Sequence, residues 1–185
     1  GGMGISAKSA LELRRFGVDA VTTGNHIWKF PDIRPLLESE YWLLRPANYP
    51  GSAPGSGGRV VALGAGHPPL MVINLQGRAF MDPIDCPFAA AERLLGEAPP
   101  EALIVVDMHA EATSEKRALA HMLRGRAHVV VGTHTHVQTN DACILDGMTG
   151  FMTDLGMCGP EDSCLGMDSG IILRKFRTGL PERFE

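Results

Sequence analysis

Two histidines one residue apart, His134 and His136, sit in the string GTHTH. An extended or tightly turned backbone at such a pair sends the imidazoles in different directions. That suits two adjacent metal ions, or two corners of one. Neutral imidazole is a good ligand for zinc, iron or manganese-type ions. His109, in Asp107-Met108-His109-Ala110-Glu111, is a third such ligand, and Asp107 or Glu111 could hold its second ring nitrogen and so orient it. Asn25, in Gly24-Asn25-His26, offers a neutral carbonyl oxygen, which leaves a cation more Lewis-acidic than a further carboxylate would. His26 follows directly, points elsewhere, and can stay unligated. A free imidazole titrates near neutrality and can protonate a leaving alkoxide.

Each of these groups has a plainer reading when taken alone: loop histidines for the pair, a histidine at the top of a core for His109, a turn dipeptide for Gly24-Asn25. Their placement decides between the two. Val18 to Thr23 reads as a buried strand that ends at Asn25 and His26, Ala102 to Asp107 as a strand that ends at His109, and His128 to Gly132 as a strand that opens into His134. Such near-continuous apolar strands are buried on both faces in layered α/β proteins, whose sites gather beyond the carboxyl ends of the strands. One rim then holds Asn25, His26, His109, His134 and His136.

The remaining elements alternate. Ser6 can cap a helix to Arg15, ended by Gly17. A short helix covers Asp32 to Glu38, and Asn48 to Gly58 is a Gly/Pro/Ser loop. Arg59 to Ala65 and Leu70 to Leu75 read as paired strands. Helices follow around Phe88 to Leu95 and from a Thr113 or Ser114 cap to Leu123. Strands near Thr149 to Thr153 and Ile171 to Phe176 close the pattern. His67, His121 and His128 read as solvated or packed histidines. Arg78 suits either a phosphate or a surface ion pair. Cys86, Cys143, Cys158 and Cys164 lack metal spacing and read as reduced thiols.

Composition narrows the partners. The chain has 185 residues, fits one domain (1–185), and carries a net charge of −4. That balance argues against a duplex-DNA or anionic-membrane binder, and any nucleotide or RNA-end substrate would have to be attracted locally, by bound cations. No apolar run has the length of a membrane span, which makes a cytoplasmic protein the expectation. A homo-oligomer is compatible with this composition.

GNHIW, LRPANYP, VINLQGRAFMDPIDCPF, HAEATSEK, GTHTHVQT and TDLGMCGP resemble the YmdB type of bacterial phosphodiesterase, within the calcineurin-like metallophosphoesterases. The resemblance implies a layered α/β/β/α sandwich, two divalent metal ions, iron or manganese, and hydrolysis of 2′,3′-cyclic nucleotides or related RNA-derived phosphodiesters. It implies further that Asn25, His109 and His134 hold one metal, that His136 holds the other, and that His26 is the proton donor. The family's N-terminal Gly-Asp and Gly-Glu-Asn strands and its last strands have no counterpart in this sequence. The chain is therefore expected to be a fragment, incomplete at both ends, that holds one metal weakly, binds the other poorly and is nearly inactive. Two rival readings stand beside this one: a capsule-synthesis-type relative, and a regulatory protein that senses metal or nucleotide without turnover.

Overall fold

The computed structural model describes residues 3–183. Gly1, Gly2, Phe184 and Glu185 lie outside the described residues. The chain runs α1 (Ala7–Arg15), a 3₁₀ turn (Ile27–Lys29), α2 (Ile33–Ser39), β1 (Gly58–Val61), β2 (Leu70–Gln76), α3 (Pro87–Glu97), β3 (Leu103–His109), α4 (Thr113–Leu123), β4 (Val129–Thr133), β5 (Cys143–Leu145), β6 (Thr149–Met152) and α5 (Ser169–Thr178). The six strands form one sheet in the order β1-β2-β3-β4-β6-β5. Its centre, β2 to β3 to β4 to β6, is parallel, and β1 and β5 are antiparallel edges.

The expected layered α/β class holds. Side chains alternate along each strand, so Ile73, Leu75, Val106, Met108 and Val130 turn to one face. There they meet Ala91 and Leu94 of α3 and Leu119, Ala120 and Leu123 of α4 in the main core. Each fully buried Leu or Ile in it contributes about 1.5–3 kcal/mol of transfer free energy. The opposite face carries Val72 against Leu44 and Val61, and above it Asn74, Gln76, Asp107 and His109. A separate cluster joins α1, the 3₁₀ turn and α2 through Ala10, Ile27, Ile33, Leu37 and Trp42.

Two elements differ from their reading in the sequence. Val18 to Thr23 is extended but is not a strand of the sheet. It makes one parallel bridge, Val21 to Leu43, through Val21 N–H to Trp42 C=O (2.8 Å) and Leu44 N–H to Val21 C=O (2.8 Å). The ladder stops there because Thr23 N–H turns to Asn74 Oδ1 at 3.0 Å, while Leu44 C=O takes the Thr23 hydroxyl at 2.8 Å instead. Ile171 to Phe176 is helical, not extended: Asp168 caps α5 by accepting from Ile171 N–H at 2.9 Å, and Gly179 at φ 69° ends it. These start and stop signals override the β-branched Ile171-Ile172 pair. The short edge strand β5 was not anticipated, and α4 is capped at Ala112 with no side-chain bond, so Thr113 and Ser114 lie within its first turn. Among the described residues no helix is long and apolar enough to cross a membrane.

Candidate functional site

Register brings the site together. The parallel pairing sets Gln76 opposite His109 and His109 opposite Thr133, so β3 and β4 end side by side and His134 follows at once. The rings of His109 and His134 meet edge-on, centroids 4.9 Å apart at 77°. The chain before the 3₁₀ turn crosses over them, fixed by Thr23 N–H to Asn74 Oδ1 (3.0 Å) and Thr23 O–H to Leu44 C=O (2.8 Å). Gly24 is required there by space: a Cβ would overlap Nε2, Cε1 and Cδ2 of His109. With the glycine in place, Asn25 Oδ1 comes within 3.1 Å of His109 Nε2, and His134 Nδ1 lies 3.2 Å from the same nitrogen.

Proton positions follow from the outer partners. Thr133 Oγ1 donates to Asp107 Oδ1 at 2.8 Å and therefore accepts from His109 Nδ1–H at 3.0 Å. Glu111 Oε2 lies 3.1 Å from His134 Nε2, so that nitrogen carries the other proton. Three lone pairs, on His109 Nε2, His134 Nδ1 and Asn25 Oδ1, are left facing one another. Acceptors arranged in this way could hold a cation. An octahedral ion with ligands at about 2.1 Å sets neighbouring donors about 3.0 Å apart, close to the observed 3.1 and 3.2 Å. Among the described residues no three His, Cys, Asp or Glu side chains form a metal cluster; the fit depends on the Asn25 amide as third donor. The sequence left the orienting partner of His109 open. Asp107 holds it, through Thr133, while Glu111 serves His134.

The electrostatics favour the neutral form of both imidazoles. Burial first, and then neighbouring His134, Lys116 and His26, pull the His109 imidazole down to about 3. Burial also lowers His134, against the pull of Glu111. Asp107 is pushed up to about 6 by burial, although hydrogen bonds from Thr22 and Thr133 oppose it. Neutral imidazole is the form that binds metal.

His134 and His136 have φ of 106° and 66°. Such left-handed backbone costs about 1–3 kcal/mol per non-glycine residue and persists where its surroundings over-determine it. The two side chains share a cavity of about 280 Å³ with Asn25, His26 and His109, walled on one side by Gly4 and Ile5. His26 is exposed at this cavity and also caps the 3₁₀ turn through its backbone. All five residues singled out in the sequence thus line one space.

The residues set aside stay outside it. His128 Nδ1 accepts from Ile104 N–H at 3.0 Å, a structural role, and His67 and His121 are exposed. Arg78 is exposed, and its backbone N–H is held by Glu115 at 3.0 Å. Sequence reasoning missed Thr133, Lys116, Asp154 and the Gly4-Ile5 wall. Only the Thr in GTHTH and the Asp of TDLG carried any signal, as polar residues at strand ends.

The profile of the YmdB-like protein family matches residues 1–185. The 2′,3′-cyclic-nucleotide 2′-phosphodiesterase of Bacillus subtilis is 47% identical over 184 residues, covering 99% of this chain and 69% of that protein. A crystal structure of a hypothetical protein from Thermus thermophilus superposes with a TM-score of 0.92 at 46% identity, over 100% of this chain and 71% of the other. That of a novel phosphatase from Mycoplasma pneumoniae does so with a TM-score of 0.88 at 32% identity, over 98% and 66%. Sheet, strand-end histidines and likenesses together define a mixed α/β protein of the metallophosphoesterase type. The chain belongs to the YmdB-like family.

Proposed function

We propose that this chain carries active-site histidines of a metal-dependent phosphodiesterase that hydrolyses 2′,3′-cyclic nucleotides or related RNA-derived phosphodiesters. The hydrolytic class follows from the family and from the phosphodiesterase and phosphatase among its relatives. The observation that carries the metal centre is the approach of Asn25 Oδ1 and His134 Nδ1 to His109 Nε2, at 3.1 and 3.2 Å. These three would hold one divalent ion, iron or manganese, and His136, on the same cavity, would serve a second. Such ions supply Lewis acidity toward the phosphate and activate water.

The chain's own residues do the rest. Asp107 and Thr133 fix the His109 ring, Glu111 fixes His134, and both stay neutral because burial disfavours their protonation. In the reaction, water adds to phosphorus and the bond from phosphorus to the ribose 2′ oxygen breaks. His26, exposed at the cavity, gives its ring proton to that oxygen, leaving a 3′-phosphate and a free 2′-hydroxyl. A small, anionic, cytoplasmic substrate fits a site whose positive charge comes from bound cations in an acidic chain.

The test is product analysis with the full-length gene product, manganese and 2′,3′-cyclic AMP. Formation of 3′-AMP, reduced about 10²- to 10⁴-fold in His26→Ala while manganese binding is kept, is the expected result. Tight nucleotide binding with the ligand unchanged after hours would favour a sensor and sink the reading.

A further inference from the structure

The turn that holds the two histidines hangs on a buried ion pair that none of the chemistry above uses. Lys116 of α4 and Asp154 after β6 meet at 2.7 Å, their side chains 0% and 1% exposed. An ion pair that deep owes its place to specific geometry, since desolvation offsets much of its attraction. Here the geometry points at the site. Asp154 Oδ2 also accepts from Thr135 N–H (3.1 Å) and Thr135 O–H (2.8 Å), and Thr135 is the residue between His134 and His136. Asp154 Oδ1 accepts from Gly156 N–H at 2.8 Å. The backbone of Asp154 is also bonded to Thr139, at the far end of the same loop: its N–H donates to Thr139 Oγ1 at 3.0 Å, and its C=O accepts from Thr139 N–H at 3.0 Å and from the Thr139 hydroxyl at 3.3 Å. Lys116 reaches Asp154 past Gly132, where an added Cβ would lie 2.6 Å from Lys116 Cδ. Leu155 N–H bonds Gly132 C=O at 2.9 Å and locks the two segments together.

We infer that Asp154, neutralised by Lys116, is a positioning residue that holds the His134-Thr135-His136 turn in its left-handed conformation and so fixes the spacing of its imidazoles toward the cations. Both flanking histidines need outside support for a positive φ. The carboxylate grips the residue between them through both of its available donors. Because Lys116 balances it, the clamp adds no net charge beside a cation site. The inference rests on the metal-centre reading of the preceding section.

Calorimetric titration of manganese into the chelator-treated full-length protein tests it, with thermal unfolding followed in parallel. Thr135→Val removes one contact and leaves the ion pair whole; Lys116→Met with Asp154→Leu removes the clamp and strands no buried charge. Manganese affinity is expected to fall about tenfold in Thr135→Val and about 10- to 100-fold in the double variant, with cooperative unfolding in both. A cooperatively folded double variant that binds manganese within about twofold of the parent overturns the clamp. Where the double variant does not fold, Thr135→Val decides: unchanged affinity overturns the clamp and a drop supports it. A parent protein that binds no manganese, or binds it equally well with His134→Ala, overturns the metal reading and the clamp with it. That outcome is separable, since it involves neither Asp154 nor Lys116.

Discussion

Gly24→Ala is the sharpest probe of how the site is packed. A methyl at this position would overlap three atoms of the His109 ring. Carbon contacts settle at about 3.5–4.0 Å, so ring and backbone must separate by roughly 1 Å or more. His109 cannot yield freely, because Nδ1 is tied to Thr133 at 3.0 Å and Thr133 to Asp107 at 2.8 Å. Overpacking of this kind costs about 1–3 kcal/mol of stability. A misplacement of about 1 Å at a reacting site costs on the order of 10²-fold in rate. Gly24 does not sit at positive φ, so the whole effect is steric. Gly96→Ala in α3 is the control, since a Cβ there meets nothing within 4 Å; a helix position should gain about 0.5–1 kcal/mol from it. The assay pairs turnover of 2′,3′-cyclic AMP with chemical unfolding of the full-length protein. A Gly24→Ala variant within about threefold of the parent in turnover, at unchanged stability, would refute the packing argument.

Three further outcomes follow from the same geometry. Glu111→Gln should weaken manganese binding by less than about tenfold, because the Glu111 side chain is 49% exposed and its hold on His134 is partly solvated; calorimetry reads this. In chelator-treated protein, His109 titrates near 6.5 when unfolded but is held to about 3 when folded. Its stabilisation is therefore present above pH about 6.5 and lost as pH falls toward about 3, at up to about 1.4 kcal/mol per pH unit. Asp107, raised to about 6, acts oppositely: its contribution is full below about 3.9 and lost as pH rises through about 6. Only a difference experiment isolates the histidine. Between pH about 7 and about 5 the parent should lose about 2 kcal/mol relative to His109→Gln in urea unfolding, and parallel curves would contradict this. Asp168→Ala should cost about 1 kcal/mol by uncapping α5, visible as a lower thermal midpoint with manganese binding unchanged.

The histidine side of the rim is readable in the sequence because His109 and His134 end or follow apolar strands, and register does the assembling: the pairing of His109 with Thr133 brings His134 alongside. What stays hidden depends on contacts between distant segments. No local pattern announces that Asp154, nineteen residues beyond Thr135, grips it from behind. Nor can periodicity show that VDAVTT finds only one bridge, since that is decided by the distant Asn74, which takes the Thr23 N–H. Ile171 to Phe176 differs for another reason. Its β-branched start suggests a strand, but the Asp168 cap and Gly179 stop outweigh that preference and make the helix. The glycines of Gly24-Asn25-His26 and Gly132-Thr133-His134 suggest turns; the structure uses them for room, beside His109 and beneath Thr153 C=O.

The proposed chemistry stands or falls on a cation held by Asn25, His109 and His134, whose side-chain atoms approach one another at 3.1 and 3.2 Å. Turnover of 2′,3′-cyclic AMP by the full-length protein, measured after exhaustive chelation and again as manganese is restored, tests it directly. Activity should be lost on chelation and recovered with manganese, with no recovery in His109→Ala or His134→Ala. Full turnover in chelator, or full recovery in either variant, would contradict it.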